Sequence, residues 1–232
     1  MTYEQFWDLI HGIGIAGITV RLFLALLCGG LIGLERETKR RPAGFRTHTL
    51  ICIGATLTTL TSQFIILKMG MPTDPARLGA QVIAGMSFIG AGAIVVTSRR
   101  QVKGLTTAAG LWTSAIIGLA IGAGYYLAAV LTVVLVLIAE LGLSKFEYYV
   151  VSTARTMTVH VEFTRVSDLD GIVSKLTEKG FTVTEIEYTK VHGADTDRPS
   201  VIFTVRSEKR TNHDETIEMI GEIPGVTAVE EL

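Results

Sequence analysis

The stretch DPARLGAQVIAGMSFIGAGAIVV, Asp74 to Val96, decides the fold class. Asp74 followed by Pro75 reads as a helix start: the Asp side chain can accept an orphan N–H of the first turn, and Pro at the first helical position has none to lose. About 20 almost uncharged residues follow, enough at 1.5 Å each to cross the hydrocarbon of a bilayer. Gly79, Ala80, Ala84, Gly85, Ser87, Gly90, Ala91, Gly92 and Ala93 outnumber the large side chains. Small residues about one turn apart let another helix backbone come close, and in lipid that packing replaces the hydrophobic force missing between helices. The stretch therefore predicts a membrane helix in the centre of a bundle, with Gly85, Gly90 and Gly92 as packing positions. Asp74, Arg77, Gln81 and Gly85 recur at helical spacing and share one face, a polar stripe that is the first functional candidate.

The 232-residue chain is 48% hydrophobic, with a mean hydropathy of +0.44, and this apolarity is uneven. Up to Glu147, 12 Lys and Arg stand against 7 Asp and Glu, a net of +5. From Tyr148 on, 9 basic residues meet 15 acidic ones, a net of −6. The near-neutral total thus conceals a basic membrane half, residues 1–147, joined to an acidic soluble half, residues 148–232. Neither half suggests nucleic acid. Cys28 and Cys52 fall in apolar runs and read as small apolar residues, not as a disulfide framework. The first 17 residues carry Glu4 and Asp8 and no Lys or Arg, unlike the basic start of a signal peptide. Tyr3, Phe6 and Trp7 fit a short interfacial segment.

Five crossings are expected, at about 17–34, 47–67, 74–97, 105–122 and 125–143. Arg21, near the start of the first, can snorkel to the headgroups. The loops after crossings one, three and five carry Arg36, Lys39, Arg40, Arg41, Arg46, Arg99, Arg100, Lys103 and Lys145, whereas the other side has Lys68 and Arg77. The positive-inside rule then places the N-terminus outside and the C-terminal domain in the cytoplasm.

In the soluble half, Met157, Val159, Val161 and Phe163 alternate with polar residues, the period of a half-buried strand. Leu169, Ile172, Val173 and Leu176 repeat at helical spacing and stop at Lys179-Gly180. Strand-like runs follow at about 182–191 and 201–206, separated by the polar turn HGADTDRP. A helix at about 214–222 and a strand at 226–229 complete the order strand, helix, strand, strand, helix, strand. This is the ferredoxin-like βαββαβ order.

Gly33-Leu34-Glu35-Arg36-Glu37, followed by Arg41-Pro42-Ala43-Gly44-Phe45-Arg46-Thr47-His48, resembles the first signature of the MgtC/SapB family of bacterial membrane proteins. Asp74-Pro75-Ala76-Arg77, Ala80-Gln81-Val82 and Gly85 through Gly92 resemble the second, and Gly104-Leu105-Thr106-Thr107-Ala108-Ala109 with Trp112 the third. The soluble half is similar to an ACT-like domain, with Asp168-Leu169-Asp170-Gly171 matching the Asp-x-x-Gly turn of that fold and forming a candidate ligand turn. The first resemblance implies a role in bacterial survival when magnesium is scarce, in some members also in virulence and intracellular survival. It also suggests the F-type ATP synthase as a partner. No GxxxxGK[ST] loop is present, and Lys103-Gly104-Leu105-Thr106-Thr107 lacks the Asp nucleophile of a transport ATPase, so the expectation is a non-enzymatic protein without a cofactor.

Each polar candidate has a structural alternative. Asp74 can be a helix cap, worth about 1 kcal/mol, and Gln81 can be interhelical glue, at about 0.6 kcal/mol per bond. Glu35, Arg36 and Glu37 can anchor the end of the first helix, and Glu140 lies at the same depth on the fifth. A site made by Glu35 and Glu140 would suit a cation, but without a third oxygen donor it does not identify Mg²⁺. The five histidines are scattered, no two have metal-ligand spacing, and no metal site is expected. Arg99, Arg100 and Lys103 read as contacts to anionic membrane lipid, and the ACT-like half as a homodimer or docking module. Two functions stay open: a regulator whose bundle binds another membrane protein, and a small ion carrier with Asp74, Arg77 and Gln81 at its outer entrance and Glu35 and Glu140 at its inner one.

Overall fold

A computed structural model of the chain describes residues 12–97, 101–143, 154–189, 199–207 and 212–232. The interfacial segment expected at Tyr3 to Trp7, Arg99 and Arg100, Lys145 and residues 192–198 of the polar turn lie outside the described residues. The chain divides into two units, residues 1–97 with 102–141 and residues 98–101 with 142–232.

The first unit is helical. Helix α1, Ile15–Thr38, runs past the expected end at Leu34 because Glu35, Arg36 and Glu37 are good helix formers, and it stops where Arg40 turns to a φ of 52°. Helix α2, Phe45–Leu67, starts where the Glu37 carboxylate accepts the Phe45 N–H at 2.9 Å. Helix α3 covers only Arg77–Ala93 of the span expected at 74–97. Asp74 Oδ1 accepts the Ala76 N–H at 2.9 Å, making a local turn before the helix, and the β-branched run Ile94 to Val96 goes extended. That run forms β1, Val95–Val96, which pairs antiparallel with β2, Val102–Lys103. Gly104, at φ 97°, then opens helix α4, Leu105–Gly122; a side chain there would overlap the Ala93 carbonyl. Helix α5, Tyr126–Ile138, ends in a π-helical turn, Ala139–Leu143. Four segments, α1, α2, α4 and Tyr126–Leu143, are long and apolar enough to cross a membrane; α3, at 17 residues, is shorter.

Helix α2 lies between α1 and α4, and glycines on both neighbours make that possible. A Cβ on Gly29 would sit 2.7 Å from the His48 carbonyl oxygen, and one on Gly33 would sit 2.6 Å from Phe45 Cα. On α4, Gly118 abuts the Cys52 carbonyl and Gly122 the Thr56 carbonyl. The packing expectation for α3 needs correction. Gly85 and Gly92 have nothing within 4 Å, and Gly90 meets only Ala108, at 3.5 Å and beyond. Helix α3 packs along one face, through Gly79, Val82, Met86, Gly90 and Ala93, and leaves the opposite face open, so it is not the centre of this bundle. Helix α5 exposes Leu127, Val130, Leu131, Val134, Leu135 and Ile138, an apolar face suited to lipid.

In the second unit, strands β3 (Thr156–Phe163), β4 (Phe181–Thr189), β5 (Ser200–Ser207) and β6 (Val226–Glu231) form an antiparallel sheet in the order β4-β5-β3-β6. Helix α6, Asp168–Glu178, connects β3 to β4, and α7, His213–Gly221, connects β5 to β6. Met157, Val159, Val161 and Phe163 point inward, as their alternation predicts, and pack with Leu169, Ile172, Leu176, Phe203 and Ile220. Asp168 to Gly171 is the first turn of α6, not a free loop. Asp168 Oδ2 accepts the Arg165 N–H at 3.1 Å, and Gly225, at φ 97°, passes so close that a side chain there would meet the Asp168 carboxylate at 2.8 Å. These contacts give Asp168 a role in shaping the connection. Asp170 and Gly171 are exposed.

Candidate functional site

Close approach of α1 and α2 buries the end of α1, and with it a set of charges that water would otherwise take. Arg36 is 3% exposed. Its Nη1 donates to Glu140 Oε2 at 2.9 Å and its Nη2 to Thr107 Oγ1 at 2.7 Å, so one guanidinium joins α1, α4 and the π-helical turn. Lys39 Nζ lies 2.7 Å from Glu35 Oε1 and donates to the Glu140 carbonyl oxygen, also at 2.7 Å. Glu37 turns the other way and caps α2.

The structure thus brings Glu35, Arg36 and Glu140 together, but as a neutralised network. Glu35 and Glu140 supply two negative charges, Arg36 and Lys39 two positive ones. In a low-dielectric surrounding such pairs hold only where the geometry is good, and a divalent ion would have to displace both resident cations. Among the described residues no group of three His, Cys, Asp or Glu could hold a metal ion.

At the other end of the helices sits a cluster that sequence reasoning missed. Arg21, expected to snorkel, is 1% exposed. Its Nε donates to Tyr126 Oη at 3.0 Å, and its Nη1 to Gln63 Oε1 at 2.8 Å and to the Gly122 carbonyl at 2.9 Å. One side chain on α1 therefore engages α2, α4 and α5. The signal was present: a charge inside an apolar helix is by default a functional or structural hub facing the bundle. His48, set aside because no second ligand lay near it in sequence, is also fully buried, with Nδ1 3.1 Å from the Gly44 carbonyl oxygen.

Asp74, Arg77 and Gln81 do not join either cluster. Asp74 is used in its local turn, and Ser62 Oγ donates to the Pro75 carbonyl at 3.0 Å, which fixes this turn to the end of α2. Arg77, Gln81 and Gly85 lie on the open surface of α3. That surface mixes small and polar residues with the exposed Ile83, Phe88 and Ile89, where the open surface of α5 is large and apolar throughout.

Membrane-length apolar helices joined by internal ion pairs and close glycine contacts define a multi-pass membrane protein. The match to the MgtC family spans residues 22–149, more than half of the chain, and the chain belongs to that family. Protein SapB of Bacillus subtilis (strain 168) is 39% identical over 130 residues, which is 53% of this chain and 54% of the relative. Protein MgtC of Salmonella typhimurium (strain LT2) is 38% identical over 122 residues, 53% of this chain and 50% of the relative. A protein of Escherichia coli (strain K12) bearing the name "Putative magnesium transporter YhiD" is 42% identical over 115 residues, 48% of this chain and 53% of the relative. The chain spans about half the length of these curated relatives. No solved structure matches it.

Proposed function

We propose that this chain is a non-enzymatic protein of the bacterial cytoplasmic membrane that supports growth under magnesium limitation by binding and regulating a larger membrane protein. The family suggests the F-type ATP synthase as that partner and, in some members, a contribution to virulence. The observation that supports a regulator is the state of the acidic side chains: Glu140 is paired with Arg36, Glu35 with Lys39, and Asp74 is used in a turn. A cation path needs carboxylates available to the ion. The open surface of α3 offers a docking face instead: it sets Arg77, Gln81, Gly85 and Ser87 beside Ile83, Phe88 and Ile89, and its small and polar residues gain little from contact with lipid.

In this reading α3 is a fifth crossing, about 26 Å of helix completed by the turns at its ends. The N-terminus is outside and the C-terminal domain cytoplasmic, as the basic loops require. The second unit, with its strand order β4-β5-β3-β6 and two connecting helices, is a ferredoxin-like, ACT-like module that pairs two copies. A second reading, a magnesium carrier, draws on the name of the Escherichia coli relative.

One comparison separates them. Gly85→Leu fills the open face of α3 without touching a charge, whereas Asp74→Asn keeps an oxygen that can accept the Ala76 N–H. A regulator loses growth in low magnesium with Gly85→Leu and keeps most of it with Asp74→Asn, at equal membrane abundance. Magnesium flux through the pure reconstituted protein that Asp74→Asn abolishes would establish the carrier.

A further inference from the structure

His48 Nδ1 faces the Gly44 carbonyl and so carries the hydrogen, which leaves Nε2 as a bare acceptor. Nε2 is buried and has no hydrogen-bond partner. It points at Gly110 on α4. A Cβ built on Gly110 would have one neighbour from outside its own helix within 4 Å, and that neighbour is His48 Nε2, at 3.5 Å. The missing side chain therefore leaves a notch directly before the bare nitrogen. Ser114, one turn along α4, is 0% exposed, and its Oγ also lacks a partner. Two buried polar atoms on facing helices, one of them directly before the notch, are left without partners unless something fills it. A water molecule can, because it donates to one atom and either donates to or accepts from the other.

We propose that the bundle holds a buried hydration site between α2 and α4, in which a water bridges His48 Nε2 and Ser114 Oγ. On one side Thr107, a turn before Gly110, accepts from Arg36 Nη2, and both residues are buried. Beyond Ser114 the seam closes: Gly118 abuts the Cys52 carbonyl, Thr56 Oγ donates to the Gly118 carbonyl at 2.8 Å, and Gly122 abuts the Thr56 carbonyl. This is a binding site with a floor, not a conduit. The charges bearing on His48 are Glu35 and Arg36 of α1 and Glu140 of the π-helical turn, while α4 contributes none.

The test uses the full chain in lipid bilayers, labelled with ¹⁵N-histidine and followed by solid-state NMR from about pH 5 to about pH 8, the range over which histidine titrates. Loss of one signal in His48→Gln assigns the ring. At the upper end of the range the expected result is a neutral Nδ1–H ring with magnetisation transfer from water to Nε2. Gly110→Ala, whose methyl makes an ordinary contact and should fold, removes that transfer. A wild-type ring with its hydrogen on Nε2, or without water transfer, overturns the proposal, as does transfer that survives in Gly110→Ala. Proton flux through wild-type protein in vesicles that Ser114→Ala abolishes would overturn the closed floor.

Discussion

Arg36 carries three helical segments on one guanidinium, and its removal separates an ion pair from the geometry that holds it. Arg36→Ala leaves the Glu140 carboxylate, 15% exposed, without its cation, and the expected loss is about 3–5 kcal/mol. The double change Arg36→Met with Glu140→Leu removes both charges and should recover most of that loss, since well-packed apolar side chains often replace a buried pair at little cost. Unfolding in detergent micelles measures both. A double variant no more stable than Arg36→Ala would show that the pair is not the source of the stability. The residue scale is also where sequence reading was weakest: the Glu35-Arg36-Glu37 run showed that charges gather at a helix end, but not that Glu37 turns to cap α2 while Arg36 turns inward. Direction around a helix depends on which neighbour comes close, and that neighbour is distant in sequence.

At the scale of elements, the glycine pattern of α3 marked a helix but misplaced the tight contacts. Helix α3 is rich in small residues, yet Gly85 and Gly92 face open space, whereas Gly29, Gly33, Gly118 and Gly122 let α1 and α4 close on α2. A small side chain is equally compatible with a tight interface and with an open surface, so the pattern alone cannot choose. Gly118→Ala drives a methyl onto the Cys52 backbone carbonyl, and overpacking of this kind costs about 1–3 kcal/mol. Gly92→Ala meets nothing and should be stabilising by up to about 1 kcal/mol, since alanine is the better helix former. Thermal denaturation of the two variants side by side checks the order. The reverse order would place the tight seam on α3.

For the whole molecule, the positive-inside rule applied to the nine basic residues that follow the first, third and fifth expected crossings predicts that a reporter fused after Leu232 is active only in the cytoplasm, and one inserted between Lys68 and Thr73 only outside. An externally active C-terminal fusion would invert the topology. The core of the second unit, from Met157 to Ile223, is contained within that unit, so a fragment from about residue 152 to Leu232 should unfold cooperatively with an α+β circular dichroism spectrum. An unfolded fragment would mean that this core depends on the membrane half.

By itself the sequence determined that apolar runs of membrane length make up the first half, that strands and amphipathic helices alternate in the second, and that charge divides between them. These follow from local composition and from periods of two and 3.6 residues, which need no knowledge of neighbours. Only the tertiary structure decided that Arg21 and Arg36 point inward, that Glu35 and Glu140 are already neutralised, that α2 packs between α1 and α4 while α3 lies at the edge, and that His48 faces a notch left by Gly110. The contacts of Arg21, Arg36 and His48 join residues 42 to 105 positions apart across helices, and a pairing at that distance leaves no period in the chain for a local reading to find.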